Sequence, residues 1–384
     1  MKIAFLIRAL TLGGAERQLV QLAVGLARRG HEVAVLTFYR GLADRELALR
    51  EAGARQIVLQ KRGRWDLLQF GRALREAVDS FAPDVLYSFL PTSNVIAASV
   101  LRRRSGMALV WGVRASNLRK DSYDWLGRTI NRLEGWMQSC PDLVIANSRA
   151  GVNDCLARGF EQPKLRYVPN GLDPEGFGFE PGARRTLRTH WGLQGRVLGF
   201  AGRLDPMKGL EHLFAALSRA RGSLAEATLV VACEGGGRYA ESLHTLVAAS
   251  NLTDRVRWIG PVADMKTFYS AIDVLCLPSI YGEGTSNVVA EALACGCPCV
   301  TTRVGDLESL VSTPELLAEP ADADDLLRAL NRAVNLLPQL SREVLREQIL
   351  AKLPWQAAVE ATEQLLQHAI SLRRGSCAAA ELLS

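Results

Sequence analysis

The chain has 384 residues, 48% of them hydrophobic and 22% charged, which suits two globular domains and excludes a disordered or fibrous protein. The net charge of +6 is uneven: residues 1–180 carry 26 Lys/Arg against 18 Asp/Glu, and the rest carry 20 against 22. The apolar runs are too short to span a bilayer, and the eight cysteines lack a disulfide-framework spacing, which fits a reducing compartment.

The N-terminal MKIAFLIRAL reads as a first buried strand over residues 2–8 rather than as a signal peptide. A glycine turn, Leu12–Glu16, leads into a helix over 15–29, and His31–Phe38 is the next strand. The alternation continues with strands at 56–59, 85–89, 107–113, 143–147 and 165–168. Helices are expected at 66–80, 92–101, 130–140 and 149–158. Residues 169–181 (PNGLDPEGFGFEP) hold three Pro and three Gly and read as a domain boundary.

A second series follows. Strands are expected at 197–201, 228–233, 256–259, 274–277 and 299–302, with helices at 210–218, 239–249, 264–271 and 287–294. Helices fill much of 322–371, and 373–384 reads as a frayed tail. Two such series predict an α/β protein of two doubly wound, Rossmann-like domains facing each other across a cleft. The expected divisions are 1–175, 176–355 and a C-terminal helix with tail, 356–384. Cys295, Cys297 and Cys299 fall at a helix end, turn and strand. They read as small buried residues rather than metal ligands, which more often come as CxxC pairs.

Open parallel sheets bind ligands beyond the C-terminal ends of their strands, so three turns matter. At Leu12–Glu16, Gly13 and Gly14 allow close backbone approach, and the following helix offers amides to an anion; the same residues also suit a plain βα turn. At Gly202–Leu210, Arg203 and Lys208 flank Pro206 before a helix and could together hold a diphosphate, or be two surface cations. The most informative stretch is Pro278–Thr302 (PSIYGEGTSNVVAEALACGCPCVTT). Glu283 lies in its glycine-rich turn, and Gly284, Thr285 and Ser286 lead into a helix at Asn287. The first amides of that helix can bind phosphate or sugar hydroxyls. Glu291, about one turn in, can accept the two hydroxyls of a ribose. The bland alternative is a charge at a helix start and a solvated Glu.

These residues resemble the retaining glycosyltransferases of the GT-B fold, the large family that includes mannosyltransferases, sucrose synthases and lipopolysaccharide transferases. The resemblance rests on Glu283 and Glu291 with seven residues between, and on GRLDPMKG at 202–209, LGGAE at 12–16, ANS at 146–148 and PNGLD at 169–173. It implies that Arg203 and Lys208 bind the donor diphosphate, Glu291 the ribose and Glu283 the transferred sugar. It also implies backbone contacts at Thr285, Ser286 and Asn287, Gly14 against the diphosphate, the base near Val262, and a last helix crossing back to the first domain. Many members carry a His after the strand that here reads ALVWGV. This chain has Arg114 nearest that place, a poor general base but suited to stabilising charge or orienting the acceptor.

The expected reaction is sugar transfer from a nucleoside diphosphate sugar, a UDP-sugar ahead of a GDP-sugar, as co-substrate, with no other cofactor. No DxD stands at a strand end and DADD at 322–325 reads as a helix start, so no metal is expected. Retention could use Glu283 as a nucleophile; the resemblance implies same-face attack instead. A glycan or lipid-linked acceptor would meet the first domain at Tyr87–Asn94, Asn117, Arg119 and Lys120. The clusters Lys61–Arg64 and Arg102–Arg104 suit an anionic membrane surface or simply solvent. The expected setting is the cytoplasm, at the inner face of the cell membrane, in polysaccharide or lipopolysaccharide synthesis. Nucleic acid is not an expected partner, and the sequence does not decide the oligomeric state. The competing readings are a GT-B epimerase, a phosphorylase and a non-catalytic carbohydrate- or nucleotide-binding protein.

Overall fold

A computed structural model describes residues 1–63, 66, 68–101, 106–114 and 125–381, and the side chains of these except residues 125 and 376–381. The chain divides into two compact units, residues 1–171 with 356–384, and residues 172–355. It thus leaves unit 1 at Gly171, inside the Pro/Gly-rich stretch, and returns to it at Gln356.

Unit 1 is built on seven strands: β1 (Lys2–Ile7), β2 (Glu32–Thr37), β3 (Arg55–Val58), β4 (Val85–Phe89), β5 (Ala108–Val113), β6 (Leu143–Ala146) and β7 (Leu165–Tyr167). They form one parallel sheet in the order β3-β2-β1-β4-β5-β6-β7. The helices are α1 (Gly14–Arg28), α2 (Ala43–Glu51), α3 (Leu68–Phe81), α4 (Pro91–Leu101), α5 (Trp125–Trp136) and α6 (Arg149–Ala157). Strands covered on both faces read as near-continuous apolar runs, and β1, β4 and β5 are buried along almost their whole length.

Unit 2 opens with helix α7 (Pro181–His190) and repeats the plan. Its strands are β8 (Val197–Arg203), β9 (Thr228–Glu234), β10 (Val256–Trp258), β11 (Val274–Leu277), β12 (Cys299–Thr302) and β13 (Leu317–Ala318). All are parallel, in the order β10-β9-β8-β11-β12-β13. Its remaining helices are α8 (Leu210–Ser218), α9 (Arg238–Ala249), α10 (Met265–Ala271), α11 (Asn287–Ala294), α12 (Leu307–Leu310), α13 (Ala323–Leu336) and α14 (Arg342–Lys352). Asp322 caps α13 by accepting from the amides of Asp324 and Asp325, so DADD is a helix start. The three clustered cysteines are fully buried. Burial pushes the Cys295 and Cys297 thiols up to about 12, which keeps them protonated and inert.

The last helix, α15 (Trp355–Glu381), continues well past the point where the tail was expected to fray. Unit 1 holds it by ion pairs and a hydrogen bond to His31. Glu363 pairs with Arg29 at 2.5 Å and bonds His31 at 2.7 Å, and Arg374 pairs with Asp84 at 3.1 Å.

Besides α12, a four-residue helix that buries Leu307 and Leu310, two helices escape the sequence pattern because they bury almost nothing. α2 buries only Leu49 and α7 buries no residue. α7 is instead fixed by charge. Arg184 and Arg188 bond both oxygens of Asp273 at the start of β11, at 2.5 and 2.7 Å, and also reach backbone carbonyls of residues 270–272.

Candidate functional site

In each sheet the strand order reverses once, between β1 and β4 in unit 1 and between β8 and β11 in unit 2. The crevice beyond the strand ends at such a reversal is where open α/β sheets bind ligands. The loops leaving β8 and β11 carry Lys208 and Glu283.

Beyond β8 the backbone makes a single 3₁₀ turn, Pro206–Lys208, capped by Asp205 accepting from the Met207 amide at 3.0 Å. Gly209 follows with φ of 64°, and a Cβ there would stand 2.2 Å from the Pro278 carbonyl oxygen. The Ile280 amide donates to the Met207 carbonyl at 2.8 Å. These contacts press the two loops together and deliver Lys208 to Glu283. Lys208 Nζ donates to Glu283 Oε1 at 2.5 Å, with the side chains 15% and 7% exposed. Arg203, the last residue of β8, is exposed and has no ion pair among the described residues.

Glu283 is held from two further directions. Ser279 Oγ donates to the same Oε1 at 2.5 Å, and Thr302 Oγ1, at the end of β12, donates to the Ser279 carbonyl. Gly305, with φ of 59°, lies so close that a Cβ would fall 2.0 Å from the Glu283 carbonyl oxygen. The loops leaving β8 and β11 thus meet on one carboxylate, and the end of β12, with Gly305 just beyond it, braces the Ser279 and Glu283 backbone carbonyls. A buried carboxylate is tolerable only with such partners.

Past Glu283 the chain runs through Gly284, Thr285 and Ser286 into α11. Thr285 and Ser286 are buried and Asn287 is half-buried. Ser286 occupies the N-cap without a side-chain capping bond. Glu291, inside α11, is 1% exposed and accepts from the buried Tyr269 hydroxyl of α10 at 3.0 Å. Val262 is half-buried in the loop after edge strand β10.

Unit 1 places its residues at the matching strand ends. Gly13 is the N-cap of α1 and Gly14 its first residue. A Cβ on Gly13 would meet the Glu16 carboxylate at 2.2 Å, the movable end of a side chain rather than backbone. Arg114 follows β5. Its guanidinium donates to the Tyr87 hydroxyl at 2.7 Å and to Asn170 Oδ1 at 3.3 Å, and lies 4.2 Å from the Phe89 ring centroid. Burial pushes the Tyr87 hydroxyl above its usual range, with Arg114 opposing.

The structure narrows one set of expected acceptor contacts, leaving only Leu90, Pro91 and Thr92 of Tyr87–Asn94 partly exposed. Tyr87–Asn94 is not an open loop: it is the end of β4, Leu90 with φ of 74°, and the start of α4. Tyr87, Ser88 and Asn94 are fully buried. Ser88 donates to Asn94 at 2.7 Å, and Asn94 donates to Glu134 at 2.8 Å. Glu134 in turn accepts from Arg158 at 2.6 Å. This is an internal network of satisfied polar groups. Lys61 is likewise engaged locally, with the carbonyls of Gly63 and Asp66. Asn117, Arg119, Lys120, Arg64 and Arg102–Arg104 lie outside the described residues. Ser279 and Tyr269 escape the sequence reading. Ser279 stood inside the quoted motif, but its bond to Glu283 depends on the turn geometry. Tyr269 lies 22 residues from Glu291 on another helix.

Among the described residues no group of three or more His, Cys, Asp or Glu could hold a metal ion, and no helix is long and apolar enough to cross a membrane.

Comparison with known proteins agrees with this architecture. A family described as Glycosyltransferase Family 4 matches residues 12–175, and one described as Glycosyl transferases group 1 matches residues 195–335. The D-inositol 3-phosphate glycosyltransferase of Corynebacterium jeikeium is 33% identical over 245 residues, 59% of this chain and 57% of that protein. The 2-deoxystreptamine glucosyltransferase of Streptomyces kanamyceticus is 31% identical over 214 residues, 54% of each. The chain thus spans about half the length of the curated relatives it matches. The crystal structure of Anabaena HepE in complex with UDP-glucose superposes with a TM-score of 0.83 at 22% identity, covering 96% of this chain and 100% of that one. Two doubly wound parallel sheets in sequence, matched in turn by these two families, mean that the chain belongs to the group 1 and family 4 glycosyltransferases and has the GT-B fold.

Proposed function

We propose that this protein is a retaining glycosyltransferase that moves a sugar from a nucleoside diphosphate sugar, a UDP-sugar ahead of a GDP-sugar, to a hydroxyl of a glycan, glycolipid or other small acceptor. The observation that carries the proposal is the Lys208–Glu283 pair at the β8/β11 reversal, a cation and a carboxylate gathered from two strand ends. The bound UDP-glucose of HepE and the sugar-transferring relatives lend support.

On this reading Arg203, Lys208 and the first amides of α11 neutralise the diphosphate as the glycosidic bond breaks. Two cations, Lys208 held against Glu283 and Arg203 exposed at the end of β8, can do the work that a divalent metal does elsewhere, so the proposed reaction is metal-independent. Glu283 binds hydroxyls of the transferred sugar, and Glu291 the ribose. Val262 lines the base, and Gly13 and Gly14 leave room for the diphosphate at the start of α1. The acceptor oxygen attacks from the face the leaving group departs, and its proton passes to the leaving phosphate. Arg114, anchored by Tyr87 and Asn170, orients the acceptor. The setting is the cytoplasmic side of an anionic membrane, in the synthesis of surface polysaccharide or lipopolysaccharide.

The test is a donor screen with UDP-glucose, UDP-galactose, UDP-N-acetylglucosamine and GDP-mannose, with and without lipid extracts and simple glycosides. Slow hydrolysis of one donor, accelerated by an acceptor and giving product of unchanged anomeric configuration by NMR, is expected. Failure of every donor to bind or react would contradict the proposal, and inverted product would overturn its stereochemical part.

A further inference from the structure

Two large hydrophobic side chains stand apart among the described residues. Leu68 is 92% exposed and Trp136 is 83% exposed, whereas the next, Val344, is 48% exposed. Both belong to unit 1, on α3 and α5, and α4 packs between these two helices. They therefore lie on one helix layer.

Each is accompanied by arginine on its own helical face. Residues four apart on a helix lie one above the other, so Arg128, Arg132 and Trp136 form a single stripe along α5, and all three are exposed. The acid of α5, Glu134, is 1% exposed and tied to Asn94 and Arg158 inside the unit, so it does not offset that stripe. On α3, Arg72 and Arg75 follow Leu68 on the same face and are exposed, but Glu76 and Asp79, four residues on from each, are exposed on that face too, so the positive stripe of this layer is that of α5. The exposed charges of the described parts of α3, α4 and α5 are thus four arginines against two acids.

Exposed tryptophan beside arginine is the composition of a surface that rests in the headgroup region of a bilayer, where the indole is at home in the interface and the arginines meet anionic headgroups. We infer that the outer face of α3–α5, centred on Arg128, Arg132 and Trp136, docks unit 1 on an anionic lipid bilayer. This deepens the membrane part of the proposed function and rests on that reading for its biological setting, but not for its geometry.

The experiment is co-sedimentation of the full chain with vesicles of phosphatidylcholine, either pure or with 30 mol% phosphatidylglycerol. The wild type should bind the anionic vesicles and lose that binding in high salt. Trp136→Ser should lower the partition coefficient about tenfold, and Arg128→Gln about fivefold, as expected for one arginine at an anionic surface. Arg132→Gln should match it. Leu68→Ser should give a smaller loss. Thermal melts of these surface variants should overlay the wild type. Donor hydrolysis in solution should be unchanged, because none of the four residues belongs to the proposed donor site. Equal binding to neutral and anionic vesicles, or variants that bind like the wild type, would overturn the inference. So would a wild-type dimer that Trp136→Ser converts to monomer without change in vesicle binding, which would assign the face to a second copy. A protein that binds vesicles as described but no nucleotide sugar would leave the docking face standing and remove the enzyme reading.

Discussion

The strand-end loops of the two units make an instructive contrast. Both units are doubly wound parallel sheets, and both place their candidate residues beyond the C-terminal ends of strands next to an order reversal. In unit 2 those loops are packed against one another. Gly209 and Gly305 sit where a Cβ would strike backbone oxygen at 2.2 and 2.0 Å, and Lys208, Ser279 and Glu283 meet in one buried cluster. In unit 1 the glycine at the corresponding turn faces only a movable carboxylate, and Arg114 is held by side chains of β4 and by Asn170. The lesson is that unit 2 has a rigid, preformed polar centre, which suits a ligand of fixed chemistry such as a nucleoside diphosphate. Unit 1 has one such contact of its own, where a Cβ on Gly41 would fall 2.7 Å from the Leu10 carbonyl oxygen, but its turn at Gly13 has more room to vary, which suits an acceptor side.

Substitutions can break this contrast. The largest effect is expected for Gly305→Ala. The new methyl cannot coexist with the Glu283 carbonyl, and the left-handed φ adds strain. Thermal unfolding should report a loss of about 3 kcal/mol, in the range of core overpacking, and donor turnover should fall below detection. A variant with wild-type turnover would mean that the Glu283 turn is not tightly packed.

Next is Glu283→Gln, which leaves Lys208 without its charged partner while keeping the shape of the side chain. A loss of about 10²–10³ in donor turnover is expected, the size seen when one charge-stabilising contact is removed. The screen proposed above measures it. Turnover within twofold of wild type would show that the cluster is structural only.

Asp273 tests stability rather than chemistry. Burial raises its carboxyl pKa, but bonds from Arg184, the Val197 amide and Arg188 outweigh this and hold it below the ordinary value of 3.8. A depressed carboxylate stabilises the fold above its unfolded pKa, and the contribution is lost as pH falls through the folded one. Asp273→Asn should therefore cost about 2 kcal/mol near neutrality. The gap from wild type should narrow as pH is taken from about 5 toward 2. Urea titrations across that window check both. A gap that widens in acid would contradict the assignment.

The smallest effect is expected for Gly13→Ala. Its φ of −58° is ordinary for alanine, and Glu16 can swing aside. A cost of about 1 kcal/mol or less, from the poorer N-cap, should appear in the same urea titrations. A loss as large as that of Gly305→Ala would erase the difference between the units.

How much of this was readable beforehand follows from what each segment buries. α8, β11, α11 and β12 coincide with the sequence expectation residue for residue, because they carry dense apolar periodicity between glycine and proline punctuation. α2 and α7 carry none, and β13 is only two residues long. The polar run at Tyr87–Asn94 misled for the opposite reason. Its Ser88 and Asn94 face inward, bonded to each other, and Asn94 donates to Glu134 some forty residues on; no local pattern signals a polar side chain whose partner is that distant. The same distance hid Tyr269 behind Glu291. Lys208 and Glu283 stand 75 residues apart, yet each lay in its own legible turn, so both could be singled out without knowing that they touch.

The most direct test of the central claim, that unit 2 is the nucleotide-sugar half, is calorimetric titration of UDP into the wild type and Glu291→Gln. The glutamine keeps an acceptor for the Tyr269 hydroxyl and drops the charge that would hold the ribose. Micromolar binding to the wild type and affinity weakened about tenfold in the variant, or roughly 1.4 kcal/mol, is the predicted result. Equal affinity in the two proteins, or no heat of binding with UDP or GDP, would contradict it.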